Sequence, residues 1–259
     1  MGGALVSGLV ARGWAAPGEL HVVDLYEPTR ASLLGRVPGL IVTAVAPPAA
    51  PAAIIAVKPN DVVGLGATLR TLGVRRVLSV AAGVTTAVIE AAIGDGVAVV
   101  RAMPNTPALV GQSASAVAAG RWATTDDLDW ACEILDAVGT TVRVTEPQLD
   151  AVTGLSGSGP AYLFLVAESL IEAGVLMGLT RPVAETLTKQ LFVGSAALMV
   201  GSEASMAQLR ANVTSPGGTT AAGLRELERC GVRSAVLEAV NAATERSRAL
   251  GDLATSPRS

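Results

Sequence analysis

The chain has few of the residue types on which several classes of protein depend. Aromatic side chains make up only 3% of its 259 residues, and it contains two cysteines and one histidine. So few of these residues form neither a disulfide framework nor a metal site with ligand spacing. A formal net charge of -3, with no basic run, gives no footprint for nucleic acid or an anionic membrane. We therefore expect no metal, no nucleic acid and no membrane among its partners.

The N-terminus has no basic segment leading into an apolar one, so no secretory signal is predicted. Residues 37–57 are uncharged and long enough to span a bilayer, but four prolines break this segment as a helix. We interpret it as strand, loop and strand. A cytoplasmic protein is the expectation.

The chain is rich in Ala, Val and Leu, and half of its residues are hydrophobic, which suits buried parallel strands and closely packed helices. In the first half, short β-branched runs alternate with helical stretches, the pattern of a parallel sheet with crossover helices. Strands are predicted at residues 20–24, 40–43, 53–57, 77–80 and 97–100. Helices are predicted at residues 3–14, 28–34, 61–72, 85–93 and 125–138, the last with Thr124 as its cap.

After Glu146-Pro147 the strands disappear. Long apolar helices are predicted at residues 162–177, 181–200, 205–211, 221–230 and 233–250. The fold class is therefore α/β, with a Rossmann-like dinucleotide-binding domain at residues 1–146 and an all-helical domain at residues 147–259. Ala-rich helices suit an intertwined oligomer, and a tight monomeric bundle fits them almost as well.

The beginning of a dinucleotide-binding unit is only partly present. Such a unit opens with a strand, a glycine-rich turn and a helix, whereas this chain opens at the turn, with Gly2 and Gly3 before a predicted helix. Asp24 ends the next predicted strand about twenty residues on, where the ribose-binding acid belongs. Because the first strand of a Rossmann sheet lies in its middle, its absence leaves two neighbouring strands without ladder partners.

We expect the natural protein to carry roughly ten further residues upstream of Met1, the length of a short strand plus the turn. A sheet without that central strand is expected to be unstable. The intact mass of the full-length native protein tests this expectation. A mass that corresponds to residue 1 as written would contradict it.

Four segments carry more specific information. They are Ala56-Val57-Lys58-Pro59, Arg101-Ala102-Met103-Pro104-Asn105-Thr106-Pro107, Gly154-Leu155-Ser156-Gly157-Ser158-Gly159-Pro160-Ala161-Tyr162 and Asn212-Val213-Thr214-Ser215-Pro216-Gly217-Gly218-Thr219-Thr220. In this order and spacing they resemble pyrroline-5-carboxylate reductase over nearly the whole chain. The resemblance implies NAD(P)H-dependent reduction of 1-pyrroline-5-carboxylate to L-proline, the last step of proline biosynthesis. It also implies a homodimer or higher homo-oligomer formed through the helical domain.

The partial fingerprint and the resemblance together predict the cofactor-binding residues. They are Met1, Gly2, Asp24, Ala56, Val57, Lys58, Pro59, Val80, Ala81, Ala82, Met103, Pro104, Asn105 and Asn212. Lys58 ends a buried-looking strand, where ligands gather in open α/β sheets, although a solvated loop lysine fits the same pattern. Asp24 favours NADH by repelling a 2'-phosphate, whereas Arg30 favours NADPH, and both cofactors stay open.

Residues 215–220 predict a site for a small anion. Two glycines permit close backbone approach, and a helix predicted from Ala221 points free N–H groups and its dipole at one spot. An ordinary capped helix start fits the same residues. The resemblance implies that this turn holds the substrate carboxylate, with Glu203 at the border of the site and the hydroxyl of Thr220 near the ring nitrogen, as the catalytic group. The substrate-binding residues are then Glu203, Ser215, Gly217, Gly218, Thr219 and Thr220.

Two alternative functions remain open. A two-domain reductase of 2-keto or 3-hydroxy acids relies on a helix-borne lysine, and Lys189, the one spare lysine, has no motif around it. The second alternative is a catalytically inactive oligomeric relic. The downstream motifs are all intact, which argues against it.

Ser156 has no histidine to activate it, because His21 opens a distant strand and is predicted to be structural.

Overall fold

The computed structural model describes the backbone of residues 1–255 and the side chains of residues 1–251. The chain divides into two compact units. The first comprises Met1–Pro160 together with the C-terminal part of the chain from Val240, and the second comprises Ala161–Ala239. The domain boundary predicted after residue 146 lies just after the last strand, whereas the compact units divide after Pro160. The predicted boundary stays a prediction.

The strands all lie in the first unit and form two sheets within the described residues. β1 (His21–Val23) and β2 (Ile41–Thr43) form a parallel pair. The second sheet contains, in sequential order, β3 (Ala52–Ile55), β4 (Arg76–Ser79), β5 (Ala98–Met103), β6 (Ser113–Ala119) and β7 (Gly139–Arg143). Neighbours in this sheet are parallel except β5 and β6, which run antiparallel.

The helices of the first unit are α1 (Gly2–Ala11), α2 (Glu27–Arg36), α3 (Gly66–Thr71), α4 (Thr86–Ile93), α5 (Thr125–Asp136) and α6 (Leu149–Val152). A π-helical turn at Thr153–Gly157 leads into α7 (Gly159–Leu176). Then follow α8 (Arg181–Val200), α9 (Met206–Asn212), α10 (Thr219–Arg229) and α11 (Val232–Thr255). The predicted fold class is confirmed: a largely parallel sheet with helices precedes an all-helical region.

The central strands form where β-branched and apolar residues run without interruption. Val77 and Leu78 in β4 and Val99 and Val100 in β5 are all fully buried. Because successive side chains point to opposite faces, burial of consecutive residues requires cover on both faces of the sheet. All five predicted strands are confirmed, with ends that differ by up to three residues.

Two strands and part of one helix differ from the prediction. β6 and β7 were not predicted, and the segment Ser113–Ala119 has the sequence SASAVAA, whose small residues have little strand preference of their own. Pairing with β5 and burial of most of its side chains decide its conformation instead. The helix predicted at residues 61–72 is two short 3-10 turns followed by α3, which begins at Gly66.

Helix starts follow local chemistry more closely. Thr124, the predicted cap of α5, donates from its backbone N–H and from its hydroxyl to Asp127 Oδ2, at 2.9 and 2.8 Å. Both bonds run from the cap to the carboxylate of the third helical residue, and they stabilise the helix N-terminus.

Among the described residues, β1 pairs only with β2, and β3 is an edge strand of the larger sheet that pairs only with β4. The expectation that a central strand is missing from the sheet stays a prediction. α1 packs against both sheets. Leu5 and Leu9 share a core cluster with Leu78 of β4. Val6 and Val10 pack against a second cluster, which includes Val22 of β1 and Val42 of β2. Apolar burial by α1 therefore contributes to holding the two sheets in one unit.

The second unit exposes large apolar side chains along its helices. Phe164 is 70% exposed, Leu176 78% and Val200 90%. By length and composition alone, the helical stretch Glu146–Leu176 is apolar enough to cross a membrane. Extended apolar faces of this kind mark surfaces that another molecule covers. The predicted helices of this region are confirmed, although α7 and α10 begin earlier than predicted, at Gly159 and Thr219.

Candidate active site

The carboxyl ends of three neighbouring strands define one edge of the larger sheet. β3, β4 and β5 are parallel, so the segments that follow them, residues 56–59, 80–84 and 104–107, all start at this edge. The N-terminus of α1 lies there too, since a Cβ built on Gly2 would come 3.1 Å from that of Ala56. Ligands of open α/β sheets bind outside the carboxyl ends of the strands. Most predicted cofactor residues of the first unit are thus brought together.

The first turn of α1 offers backbone donors at this edge. The N–H groups of Ala4 and Leu5 donate to the carbonyl of Met1, at 2.9 and 3.1 Å. Those of Gly2 and Gly3 precede the first helical bonds and have no intrahelical partner. A helix N-terminus without acidic side chains in its first turn attracts the negative charge of a phosphate group.

Asp24 directly follows β1 and starts a tight turn. Its Oδ1 accepts the N–H of Tyr26 at 2.8 Å, and its backbone carbonyl accepts Nη1 of Arg30 at 2.9 Å. The Arg30 guanidinium therefore binds the main chain of Asp24 rather than its carboxylate. Oδ2 of Asp24 and the remaining donors of Arg30 are left to contact a ligand.

The segment after β3 is open to solvent. Ala56, Val57, Lys58 and Pro59 are exposed, and the carbonyl of Lys58 accepts the N–H of Asp61 at 2.9 Å to begin a 3-10 turn. The Lys58 ammonium thus lies on an accessible loop at the carboxyl edge of the sheet.

The segment after β4 is packed more tightly. Val80 donates its N–H to the carbonyl of Ile55 at 3.0 Å, and Ala81 is buried. Ala82 is exposed, so this small side chain is the part of the segment that is open to a ligand. Gly83 has a φ of 75°, a left-handed value that favours glycine.

Asn105, after β5, has a buried side chain whose amide is engaged within the protein. Oδ1 accepts the Ser113 hydroxyl at 3.1 Å and the Ala114 N–H at 3.0 Å, while Nδ2 donates to the carbonyl of Ser156 at 3.0 Å. The side chain therefore fastens the loop that Met103 and Pro104 begin to β6 and to the π-helical turn. The backbone N–H of Asn105 also donates, to the Ser113 hydroxyl at 3.3 Å, so the second amide hydrogen on Nδ2 is the donor that remains for a ligand.

The glycine- and serine-rich segment before α7 is a packing element. A Cβ on Gly154 would come 2.7 Å from the carbonyl of Val240 in α11, which is too close for any other residue without movement. Ser156 donates its hydroxyl to the carbonyl of Val152 at 3.2 Å. His21 pairs with the Thr43 hydroxyl at 2.7 Å across β1 and β2. Both residues have the structural places that the sequence predicts.

In the second unit, residues 215–220 form a turn that leads directly into α10. The Gly218 N–H donates to the carbonyl of Ser215 at 3.0 Å, and Gly217 has a φ of 68°. α10 begins at Thr219, two residues before the predicted start, and its first bond runs from the Ala222 N–H to the carbonyl of Gly218. The turn therefore occupies the N–H of Gly218.

The N–H groups of Thr219, Thr220 and Ala221 precede the first bond of α10 and point outward from its N-terminus. Thr219 and Thr220 are exposed. This turn combines backbone donors, hydroxyl groups and the positive end of a helix dipole, which together suit a carboxylate.

Asn212 and Glu203 flank α9. Asn212 ends this helix, and its Oδ1 accepts Nε2 of Gln208 at 2.7 Å, which leaves the amide hydrogens available. Glu203 is exposed on the short connection between α8 and α9.

Sequence reasoning missed one charged cluster in the first unit. Glu146 binds Thr86 at the start of α4 and Arg101 in β5. No local signal identifies these residues as partners, because Glu146 lies 45 positions from Arg101 and 60 from Thr86. Among the residues described, no group of three or more His, Cys, Asp or Glu side chains is arranged to hold a metal ion.

The amide of Asn105 is expected to contribute to stability rather than only to ligand contacts. Asn105→Ala leaves the Ala114 N–H and the Ser156 carbonyl without their partner, and it removes one of the bonds of the Ser113 hydroxyl, which keeps its bond to Ser115. The free energy of unfolding should therefore fall by about 1–3 kcal/mol. Urea denaturation at fixed protein concentration measures this loss. Asn60→Ala, at an exposed position, is the control and should stay within about 0.5 kcal/mol. Equal losses in the two variants would contradict the expectation.

Comparison with known proteins adds an independent line of observation. Residues 146–250 match the family described as pyrroline-5-carboxylate reductase dimerisation. The chain is 40% identical over 255 residues to the pyrroline-5-carboxylate reductase of Methanosarcina acetivorans, covering 97% of this chain and 94% of the relative. It is 42% identical over 277 residues to that of Mycobacterium tuberculosis H37Rv, covering 96% and 93%.

Solved structures agree with these sequence matches. The pyrroline-5-carboxylate reductase of Coxiella burnetii superposes with a TM-score of 0.90 at 35% identity, covering 95% of this chain and 93% of that one. The Plasmodium falciparum pyrroline carboxylate reductase, solved with NADP bound, superposes with a TM-score of 0.81 at 28% identity, covering 96% and 93%. Similarity at this level along nearly the whole length of each chain shows that this chain belongs to the pyrroline-5-carboxylate reductase family.

Proposed function

We propose that the chain is an NAD(P)H-dependent oxidoreductase that reduces 1-pyrroline-5-carboxylate to L-proline. The observation that carries this proposal is family membership over 97% of the chain, at 40% identity to a named pyrroline-5-carboxylate reductase. Two features fit the activity: a dinucleotide-binding sheet edge in the first unit and an anion-binding turn in the second. In each unit, the chemistry of the residues present suits the molecule that it would bind.

The residues of the first unit fit a nicotinamide dinucleotide. The N-terminus of α1 offers N–H groups to the pyrophosphate, and Gly2 presents no side chain toward Ala56. Asp24 and Arg30 lie at the ribose end, where the 2'-position is read. Ala82 and the loop from Met103 to Asn105 line the nicotinamide end, by their place at the carboxyl ends of β4 and β5. When bound, the cofactor supplies the hydride.

The residues of the second unit fit the substrate. The N–H groups of Thr219, Thr220 and Ala221 hold the carboxylate at the positive end of α10, with Ser215 and Gly217 shaping the turn. The Thr220 hydroxyl hydrogen-bonds to the ring nitrogen as it becomes an amine. Asn212 contacts the nicotinamide end of the cofactor, and Glu203 borders the substrate.

The reaction requires little acid–base machinery. The imine carbon gains the hydride and the ring nitrogen gains a proton from water, so the product is a secondary amine. A readily protonated imine needs no histidine to activate it, and the single histidine of the chain is engaged with Thr43. Orientation of substrate and cofactor accounts for most of the rate enhancement.

The exposed apolar faces of the helical unit support assembly of the chain with copies of itself. The match of residues 146–250 to a dimerisation family points the same way. We propose a homodimer as the basic assembly, open to higher association, with the small-molecule substrate as the other partner. A cytoplasmic location follows from a biosynthetic role, and we expect no membrane or nucleic-acid partner.

Oxidation of NADPH and, separately, of NADH by the purified chain, with and without 1-pyrroline-5-carboxylate, tests the proposal. Turnover that depends on the substrate, with proline as product, is the expected result. Cofactor binding without turnover, or no binding at all, would contradict it.

Thr220 should affect turnover far more than cofactor affinity. Thr220→Val keeps the volume but removes the hydroxyl, so kcat should fall by about tenfold or more, the value of one hydrogen bond to a group that carries charge. Thr220→Ser should restore most of the rate. Steady-state kinetics and cofactor titration measure the two effects, and equal kinetics in Thr220→Val and the parent would rule out this role.

Cofactor preference should depend on Asp24 and Arg30 in opposite directions. Arg30→Ala removes the cation beside the 2'-position, so kcat/KM with NADPH should fall by about tenfold while that with NADH changes little. Asp24→Asn removes the repulsion of a 2'-phosphate and should favour NADPH. The ratio of kcat/KM values reports both effects. Arg12→Ala, an exposed arginine at the end of α1, is the control, and an equal loss with both cofactors in Arg30→Ala would contradict the assignment.

A further inference from the structure

The Glu146 carboxylate holds two parts of the first unit at once. Oε1 accepts the N–H of Thr86 at 2.7 Å, and Oε2 accepts the hydroxyl of the same residue at 2.7 Å. Oε1 also lies 3.3 Å from Nη1 of Arg101. The side chain of Arg101 is 8% exposed and that of Glu146 25% exposed, so this ion pair is largely withdrawn from water.

The two partners of Glu146 flank the loops at the carboxyl edge of the sheet. Ser79, the last residue of β4, pairs with Arg101 of β5. Residues 80–85 then leave β4, and α4 begins at Thr86, immediately after this loop. Residues 103–107 follow two positions after Arg101. Glu146 therefore bonds to the residue that ends one loop and to a residue just before the other.

The start of α4 does not need Glu146 as its cap. The Thr85 hydroxyl already accepts the N–H of Val88 at 3.4 Å. Withdrawing a carboxylate and a guanidinium from water is costly unless they are paired and hydrogen-bonded. The cluster thus adds a polar connection between α4 and β5 to the apolar packing of Ile89 and Val99, and this polar connection passes through one carboxylate.

We propose that Glu146 is a positioning residue, which fixes the spacing of residues 80–85 and 103–107 and so orients the nicotinamide end of the cofactor. It acts through Thr86 and Arg101, and it touches neither substrate nor cofactor. This inference rests on the proposed function only in identifying what the two loops hold. The Rossmann-like edge itself follows from the strand topology.

Glu146→Gln tests the proposal, because glutamine keeps the shape but loses the charge that pairs with Arg101 and one of the two acceptor oxygens. Glu90→Gln is a matched control. Glu90 lies on α4, one turn after Thr86, and its Oε1 accepts a backbone N–H, that of Arg121, at 2.7 Å. It makes the same type of tertiary bond one turn farther from the loops. Thr86→Val is a milder change that removes only the hydroxyl bond to Glu146, and Thr86→Ser retains this bond.

The measurements are kcat and KM for both cofactors and for the substrate, and the Kd of reduced cofactor from its nicotinamide fluorescence without substrate. Glu146→Gln should lower kcat by about tenfold to a hundredfold, since misplacement by about 1 Å costs up to that much. It should also weaken cofactor binding, with a smaller effect on the KM for the substrate. Thr86→Val should follow it in part, Thr86→Ser should recover, and Glu90→Gln should stay within about twofold of the parent.

The outcomes separate this inference from the proposed function. Equal kcat and cofactor Kd values in Glu146→Gln and Glu90→Gln would overturn the positioning role while leaving the reductase activity in place. A parent chain that binds reduced cofactor without reducing the imine would overturn the proposed function, and the fluorescence titration would still decide the role of Glu146. If Glu146→Gln does not fold, the pair Thr86→Val and Thr86→Ser decides it, and unchanged values in Thr86→Val would overturn it.

Discussion

The parallel pairing of β3, β4 and β5 is the constraint on which the cofactor-binding half of this protein depends. Because the three strands run in one direction, the chain leaves each of them at the same edge, where α1 also begins. Burial of Val77, Leu78, Val99 and Val100 on both faces holds the strands in register. A shift of one residue would reverse the face of every side chain, and Arg101 would no longer meet Glu146.

The helical unit meets a different requirement. The turn proposed to bind the substrate carboxylate offers backbone N–H groups and hydroxyls rather than a charged side chain, and Gly217 in the left-handed region lets the chain enter α10 directly. A helix N-terminus attracts an anion without a buried countercharge. The helical unit also exposes large apolar faces on α7 and α8, which a second copy of the chain can cover.

Sequence patterns predicted the elements whose character is local. The β-branched runs predicted β4 and β5, and Thr124 predicted the start of α5. β6 was missed because Ser and Ala carry little strand preference, and only pairing with β5 makes Ser113–Ala119 a strand. The start of α10 was placed two residues late, because Thr219 and Thr220 are weak helix formers that only the turn before them brings into the helix.

The amino-acid sequence by itself determined the family resemblance, the order of the two halves and the residue types of the anion-binding turn, because these depend on motifs and spacing along the chain. Only the tertiary structure decided which polar groups remain available to a ligand. It engages the amide of Asn105, directs the Gly218 N–H to Ser215 and places Glu146 between Thr86 and Arg101. The physical reason is distance along the chain: Glu146 meets partners 45 and 60 residues away, and no local pattern encodes that contact.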